Sequence, residues 1–228
     1  MYLILLIAIG LLGWLVQWNL NSKFKKYSQI PLGNGMTGRE VAEQMLRENG
    51  ITDVTVRSTN GTLTDHYNPA NRTINLSEGV YASDSIAAAS VAAHETGHAI
   101  QHAYAYAPLK MRSALVPVMS FSGQWVTWII LGAMILLGTG SQLGFPVAIA
   151  GIALYGIITL FSFITLPVEI NASQRALAWL SSAGITNSHN DSYARDALRS
   201  AAYTYVVAAL GALANLLYYI WLFFGRRD

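Results

Sequence analysis

Cysteine is absent from this 228-residue chain. That excludes disulfides, thiolate metal centres and cysteine nucleophiles. It fits a reducing compartment. Any metal must be held by imidazole or carboxylate groups. Charge is scarce as well: 11% of residues are Asp, Glu, Lys or Arg, where an ordinary soluble domain carries roughly 25%. The net charge is +2, and no basic face with interleaved aromatics exists. That charge is itself uninformative about nucleic acid, and without a basic face no nucleic-acid partner is expected.

The missing charge is concentrated in tracts. Residues 2–22, 113–168 and 200–225 hold none. A helix needs about 20 mostly apolar residues to cross the hydrocarbon core. The first and last tracts each supply one span. The middle tract supplies two, divided by a turn at Gly138-Thr139-Gly140-Ser141-Gln142 with Gly144 and Pro146 beyond it. The first tract lacks the charged start and Ala-x-Ala site of a signal peptide. It reads as a retained anchor, with Trp14 and Trp18 at an interface.

In a four-span arrangement Lys23, Lys25, Lys26, Lys110, Arg112, Arg175, Arg195 and Arg199 share one side, and Arg226 and Arg227 take the other. The excess of Lys and Arg predicts that the first side is cytoplasmic, at the cell membrane.

Between the anchor and the second span lies a small mixed segment. Thr37-Gly38-Arg39-Glu40 has the capping-box form. Val41, Ala42, Met45 and Leu46 then make one apolar helical face, closed by Gly50. Ile51–Arg57, Leu63–Tyr67 and Arg72–Leu76 read as strands. Asn60-Gly61 signals a hairpin between the first two, and Asn68-Pro69-Ala70-Asn71 a turn between the last two. A long Ala-rich helix is expected over about Ser83–Ala105.

That helix carries His94-Glu95-Thr96-Gly97-His98. Residues i and i+4 share a helix face, so both imidazoles can bind one metal ion. Neutral imidazole suits zinc. Glu95, beside the pair, is placed to take a proton from a zinc-activated water and hand it to a leaving amine. The pentapeptide alone also describes two surface histidines. Its setting is against that: the preceding run Ala87–Ala93 is that of a buried helix, and buried imidazoles need partners.

Two histidines leave one protein ligand to find. His102 continues the i+4 ladder but falls about 12 Å from His94 along a straight helix. Position 104, where another zinc-protease pattern needs histidine, is Tyr104. Glu169 is the first charge after the uncharged tract 113–168. It reads as a ligand candidate, as a solvated interfacial carboxylate, or as an acid favouring the start of a helix that opens there.

The residues His94–His102, read HETGHAIQH, stand between two further blocks. Asp65-His66-Tyr67 with Leu76-Ser77 precedes them, and Leu166-Pro167-Val168-Glu169-Ile170-Asn171-Ala172-Ser173-Gln174-Arg175-Ala176 follows. Together these resemble the YugP-like family of membrane neutral zinc metallopeptidases, over nearly the whole chain. The order of HExxH, two spans and a glutamate is also similar to that of the HtpX-type proteases. The resemblance implies a gluzincin site of one zinc ion per chain held by His94, His98 and Glu169, with Glu95 as general base. It implies that the strand near Arg72–Leu76 is the edge on which an extended substrate pairs. In the HtpX-type group an aspartate commonly follows the glutamate ligand by four residues, and Ser173 holds that place here.

The expected architecture is mostly α and integral to the membrane, with about four transmembrane helices and a small α+β zincin-like (gluzincin) catalytic domain at the membrane surface. Its parts are an anchor at 1–22, a catalytic segment at 23–112, two spans at 113–168, a second catalytic segment at 169–200 and a last span at 201–228.

The expected activity is that of a zinc metalloendopeptidase acting on protein or peptide substrates in membrane-protein processing or quality control. A zinc-bound scaffold or regulatory subunit is the competing reading, and Glu95 speaks against it, because a structural site needs no general base. Homo-oligomers or a membrane-protein partner remain open. His66 and Arg175 are further candidates for contacts at the site. The competing readings are a plain strand residue and an arginine at lipid-phosphate level. His189 sits in a polar loop before Asp191, a candidate N-cap of the last helix.

Overall fold

The computed structural model describes residues 2–225. Arg226 and Arg227, which enter the charge argument for orientation, lie outside the described residues. Among the described residues, four helices are long and apolar enough to cross a membrane: α1 (Tyr2–Tyr27), α5 (Ala107–Gly138), α6 (Gly144–Ser182) and α7 (Asp191–Phe224). The chain forms two compact units, and α1, α5, α6 and α7 each contribute to both.

The first unit comprises Met1–Gly13, Lys110–Leu166 and Tyr205–Asp228. Small residues set its helix contacts, as expected where helices pack without a hydrophobic drive. A Cβ on Gly151 would lie 2.7 Å from the Ile130 side chain, and one on Gly211 3.0 Å from Ile9. The Thr159 hydroxyl donates to the Ala212 carbonyl at 3.3 Å, joining α6 to α7. Large apolar side chains such as Trp125, Trp128, Leu131 and Ile135 point outward. Such a surface suits lipid rather than water. The expected turn after Gly138 joins α5 to α6.

The second unit comprises Trp14–Leu109 and Pro167–Thr204. Helix α2 (Gly38–Glu48) has the expected capping box: Thr37 accepts from the Glu40 amide, and the Glu40 carboxylate accepts from the Thr37 amide. Its buried face of Val41, Ala42, Met45 and Leu46 joins a core with α4 (Ile86–Ala103). Ser85 caps α4 by accepting from the Ala88 amide. Ala88, Ala89, Ala92 and Ala93 are small enough for close approach, and Ala176, Trp179 and Leu180 of α6 enter the same core.

Three short strands complete this unit: β1 (Thr55–Thr59), β2 (His66–Asn68) and β3 (Thr73–Ser77), followed by the short helix α3 (Glu78–Tyr81). The order is β1-β3-β2, with β1 parallel and β2 antiparallel to β3.

The structure corrects four expectations. Asn60-Gly61 does not close a hairpin, because β1 pairs with β3 and not with β2. The strand over residues 72–76 is not an edge: β3 is central, paired on both sides and buried at Thr73, Ile74, Leu76 and Ser77. Edge positions fall to β1 and β2. Third, Glu169 does not open a helix. It lies inside α6, which continues through Pro167. Asp191 is likewise the first helical residue of α7 rather than its cap.

Candidate metal centre

The spacing of His94 and His98 puts both rings on one face of α4, edge to face with centroids 4.8 Å apart. The third member comes from α6. The Glu169 Oε2 atom lies 3.3 Å from His94 Nε2 and 3.5 Å from His98 Nε2. Its side chain is only 3% exposed. The two helices can come this close because residue 97 is glycine: a Cβ there would stand 2.7 Å from the Ala172 carbonyl oxygen, a backbone atom that cannot swing aside.

The donor atoms of His94, His98 and Glu169 all lie within 4.8 Å of one another. Two imidazole nitrogens and one carboxylate oxygen form a donor set suited to zinc, with room left for a further ligand. The outward nitrogens are occupied. His94 Nδ1 meets the Ser173 hydroxyl at 3.1 Å, and His98 Nδ1 meets Gln101 Oε1 at 3.0 Å. Both Nε2 atoms therefore face the shared centre. Partners on the far nitrogen orient a metal-binding imidazole in this way. The residues present fit one zinc ion.

Glu95 is buried beside this cluster, and its Oε2 accepts from the Tyr67 amide at 2.9 Å. Burial pushes the His98 imidazole down, but the adjoining Glu169 carboxylate and the Glu95 charge outweigh it, and the net direction is up. Asp65, two residues before Tyr67, accepts from both the amide and the hydroxyl of Ser77. Its carboxyl is raised above the usual range, first by burial and further by the Glu95 charge, against the Ser77 hydrogen bonds.

The structure thus brings His94, Glu95, His98, Glu169 and Ser173 together. Arg175 is linked to the cluster through Asn171, whose Oδ1 accepts from Arg175 Nε at 2.8 Å, and through Gln101 beyond it. His66 is exposed and lies against the Thr64 carbonyl and the Asn75 amide instead. His102 meets the Tyr67 hydroxyl through Nδ1 at 2.8 Å and is not part of the donor cluster. His189 stays in its polar loop.

Sequence reasoning missed Gln101, Asn171 and the Tyr67 amide. For Gln101 a signal was there: a polar residue three positions after His98, on the buried side of an Ala-rich helix.

The family described as "Putative neutral zinc metallopeptidase" matches residues 2–224. A curated relative, the "Putative membrane protease YugP" of Bacillus subtilis (strain 168), is 42% identical over 221 residues, 97% of this chain and 95% of its own length. No solved structure matches the chain. Matched almost from end to end by both, this chain belongs to the family described as "Putative neutral zinc metallopeptidase".

Proposed function

We propose that the protein is a membrane zinc endopeptidase, with His94, His98 and Glu169 as ligands of one zinc ion and Glu95 as general base. The observation that carries this reading is the pairing of a buried three-donor cluster with a second buried carboxylate next to it. A structural zinc site has no use for that second carboxylate, and such sites are closed by four protein ligands. When bound, zinc acidifies a water and polarises the peptide carbonyl. Glu95 takes the proton from the attacking water and returns it to the leaving amine. The Tyr67 amide holds the Glu95 carboxylate in place.

The substrate would lie along β2. Its neighbour on one side is β3, and the amide of Tyr67 points the other way, to Glu95. An extended segment lying beside that outer edge, where the Tyr67 amide is already taken by Glu95, runs past the general base, and contacts to backbone ask little of its sequence. Glu169 stands on the same unbroken helix as the apolar stretch before it. That continuity supports a site at the membrane surface, and the excess of Lys and Arg supports its cytoplasmic face. Flexible segments of membrane-tethered proteins are then the favoured substrates, since tethering raises their effective concentration. Processing or quality control of membrane proteins is the role this suits.

The test is metal analysis of the purified full-length protein, together with cleavage of one unfolded reporter in liposomes, membrane-anchored or soluble. The reading requires about one zinc per chain, chelator-sensitive cleavage and preference for the anchored form. Cleavage unaffected by chelator would refute the zinc mechanism, and equal cleavage of both forms would refute the substrate class.

A further inference from the structure

Gln101 is fully buried and uses its whole side-chain amide. Oε1 faces His98 Nδ1 at 3.0 Å. Nε2 faces the Val168 carbonyl at 2.8 Å and Asn171 Oδ1 at 3.0 Å. The two ends of an amide look alike in shape, so its orientation has to be argued from its partners.

Here the partners leave one solution. A carbonyl oxygen only accepts, so the group facing Val168 must be the NH2. An arginine only donates, so Asn171 presents oxygen to Arg175 Nε, and that same oxygen accepts the second Gln101 N–H. Gln101 Oε1 is then forced toward His98. An oxygen there requires a proton on His98 Nδ1, and a neutral imidazole protonated at Nδ1 carries its lone pair on Nε2, the atom that faces Glu169.

We propose that Gln101 is a positioning residue that presets His98 as an Nε2 zinc ligand, with its own orientation dictated by the α6 backbone next to Glu169. The inference rests on the zinc-ligand role of His98 proposed above, and not on peptide hydrolysis. Glu169 directly follows Val168, so one amide ties a ligand on α4 to the residue beside the ligand on α6. His94 has no equivalent. Its Nδ1 meets the Ser173 hydroxyl, which can donate or accept and so enforces no tautomer. The two histidines are therefore unequal ligands: the fold fixes the proton on His98 Nδ1 and leaves that of His94 open.

The experiment is NMR of the zinc-loaded full-length protein in detergent, labelled with nitrogen-15 at its five histidines, alongside zinc titration of variants. His98 is expected to bind through Nε2, with an Nδ1–H protected from exchange with water. Gln101→Leu should abolish that protection and weaken zinc binding about 10- to 100-fold, the usual effect of losing such a partner. Ser173→Ala should cost less. His98 bound through Nδ1 in the wild type overturns the inference. So does a folded Gln101→Leu protein with unchanged zinc affinity and a protected Nδ1–H. A Gln101→Leu chain that fails to fold leaves the decision to the wild-type spectrum. A chain with this histidine pattern but no hydrolysis would refute the protease reading alone.

Discussion

The backbone amide of Tyr67 donates to the carboxylate of Glu95 at 2.9 Å, across 28 residues of sequence. An edge strand and the metal-motif helix thus meet at the group assigned to proton transfer. The phenol of the same tyrosine reaches His102 one turn beyond His98, so β2 is fastened to α4 at two points.

Glu95→Gln should lower hydrolysis by about 10²- to 10⁴-fold, the usual contribution of a general base, while zinc stays near one per chain. Glutamine still accepts from the Tyr67 amide, so the fold should hold. Peptide cleavage and metal content of one purified sample decide this. Wild-type activity in the variant would remove Glu95 from the mechanism.

Glu169→Ala should lose stoichiometric zinc, and His102→Ala should keep it. Glu169 stands within 3.5 Å of both histidine Nε2 atoms, whereas His102 is turned toward Tyr67. Zinc titration of the two variants gives the answer, and the reverse outcome would mean that the donor set is misassigned.

Gly97→Ala tests the approach of the two helices. The added methyl would sit 2.7 Å from the Ala172 carbonyl oxygen. Overpacking of this kind costs about 1–3 kcal/mol, and moving α6 back carries Glu169 away from His94 and His98. Both Tm and zinc affinity should fall. A variant with lowered Tm and unchanged zinc affinity would show that the ligand geometry tolerates the shift.

Asp65 supplies a pH dependence with a defined sign. Its folded pKa is raised above the ordinary carboxylate value of 3.8, chiefly by burial. Between those two values the folded protein holds a proton that the unfolded chain has released. Stability is therefore favoured at the acid end of that window and declines as pH rises through it. Asp65→Asn keeps an oxygen for the Ser77 amide and removes the titration. Melting curves of wild type and variant, both with chelator, should separate in the variant's favour as pH rises from 3.8. A constant Tm difference across pH would contradict the assignment.

Two kinds of information differ in how far the sequence reveals them. The His94–His98 pair was legible because five residues on one helix fix their own geometry. The capping box at Thr37 and the turn at Gly138 were legible for the same reason. Glu169 was open to three readings from its own residues, and resemblance selected among them, because its partners lie on another helix. The sheet was misread at Asn60-Gly61: Gly61 takes a positive φ of 106°, as a turn glycine does, but local chirality does not say which strand comes next to β1.

The helix start expected near Glu169 failed for a related cause. The return of charge at residue 169 marks a change of solvent, and the backbone of α6 carries on regardless. Gln101 was passed over because its meaning lies in the Val168 carbonyl, 67 residues away.

That same separation has a consequence for biosynthesis. A growing chain emerges from the ribosome in order, so the histidine pair is made first, then α5 and most of α6, and Glu169 only afterwards. On the ligand set proposed here, the nascent protein holds an incomplete centre throughout the synthesis of both intervening helices. Hydrolytic capacity then arrives late, after these segments have had their chance to leave the translation machinery for the bilayer. On that ligand set, a chain stalled before residue 169 carries the histidine pair without its third partner.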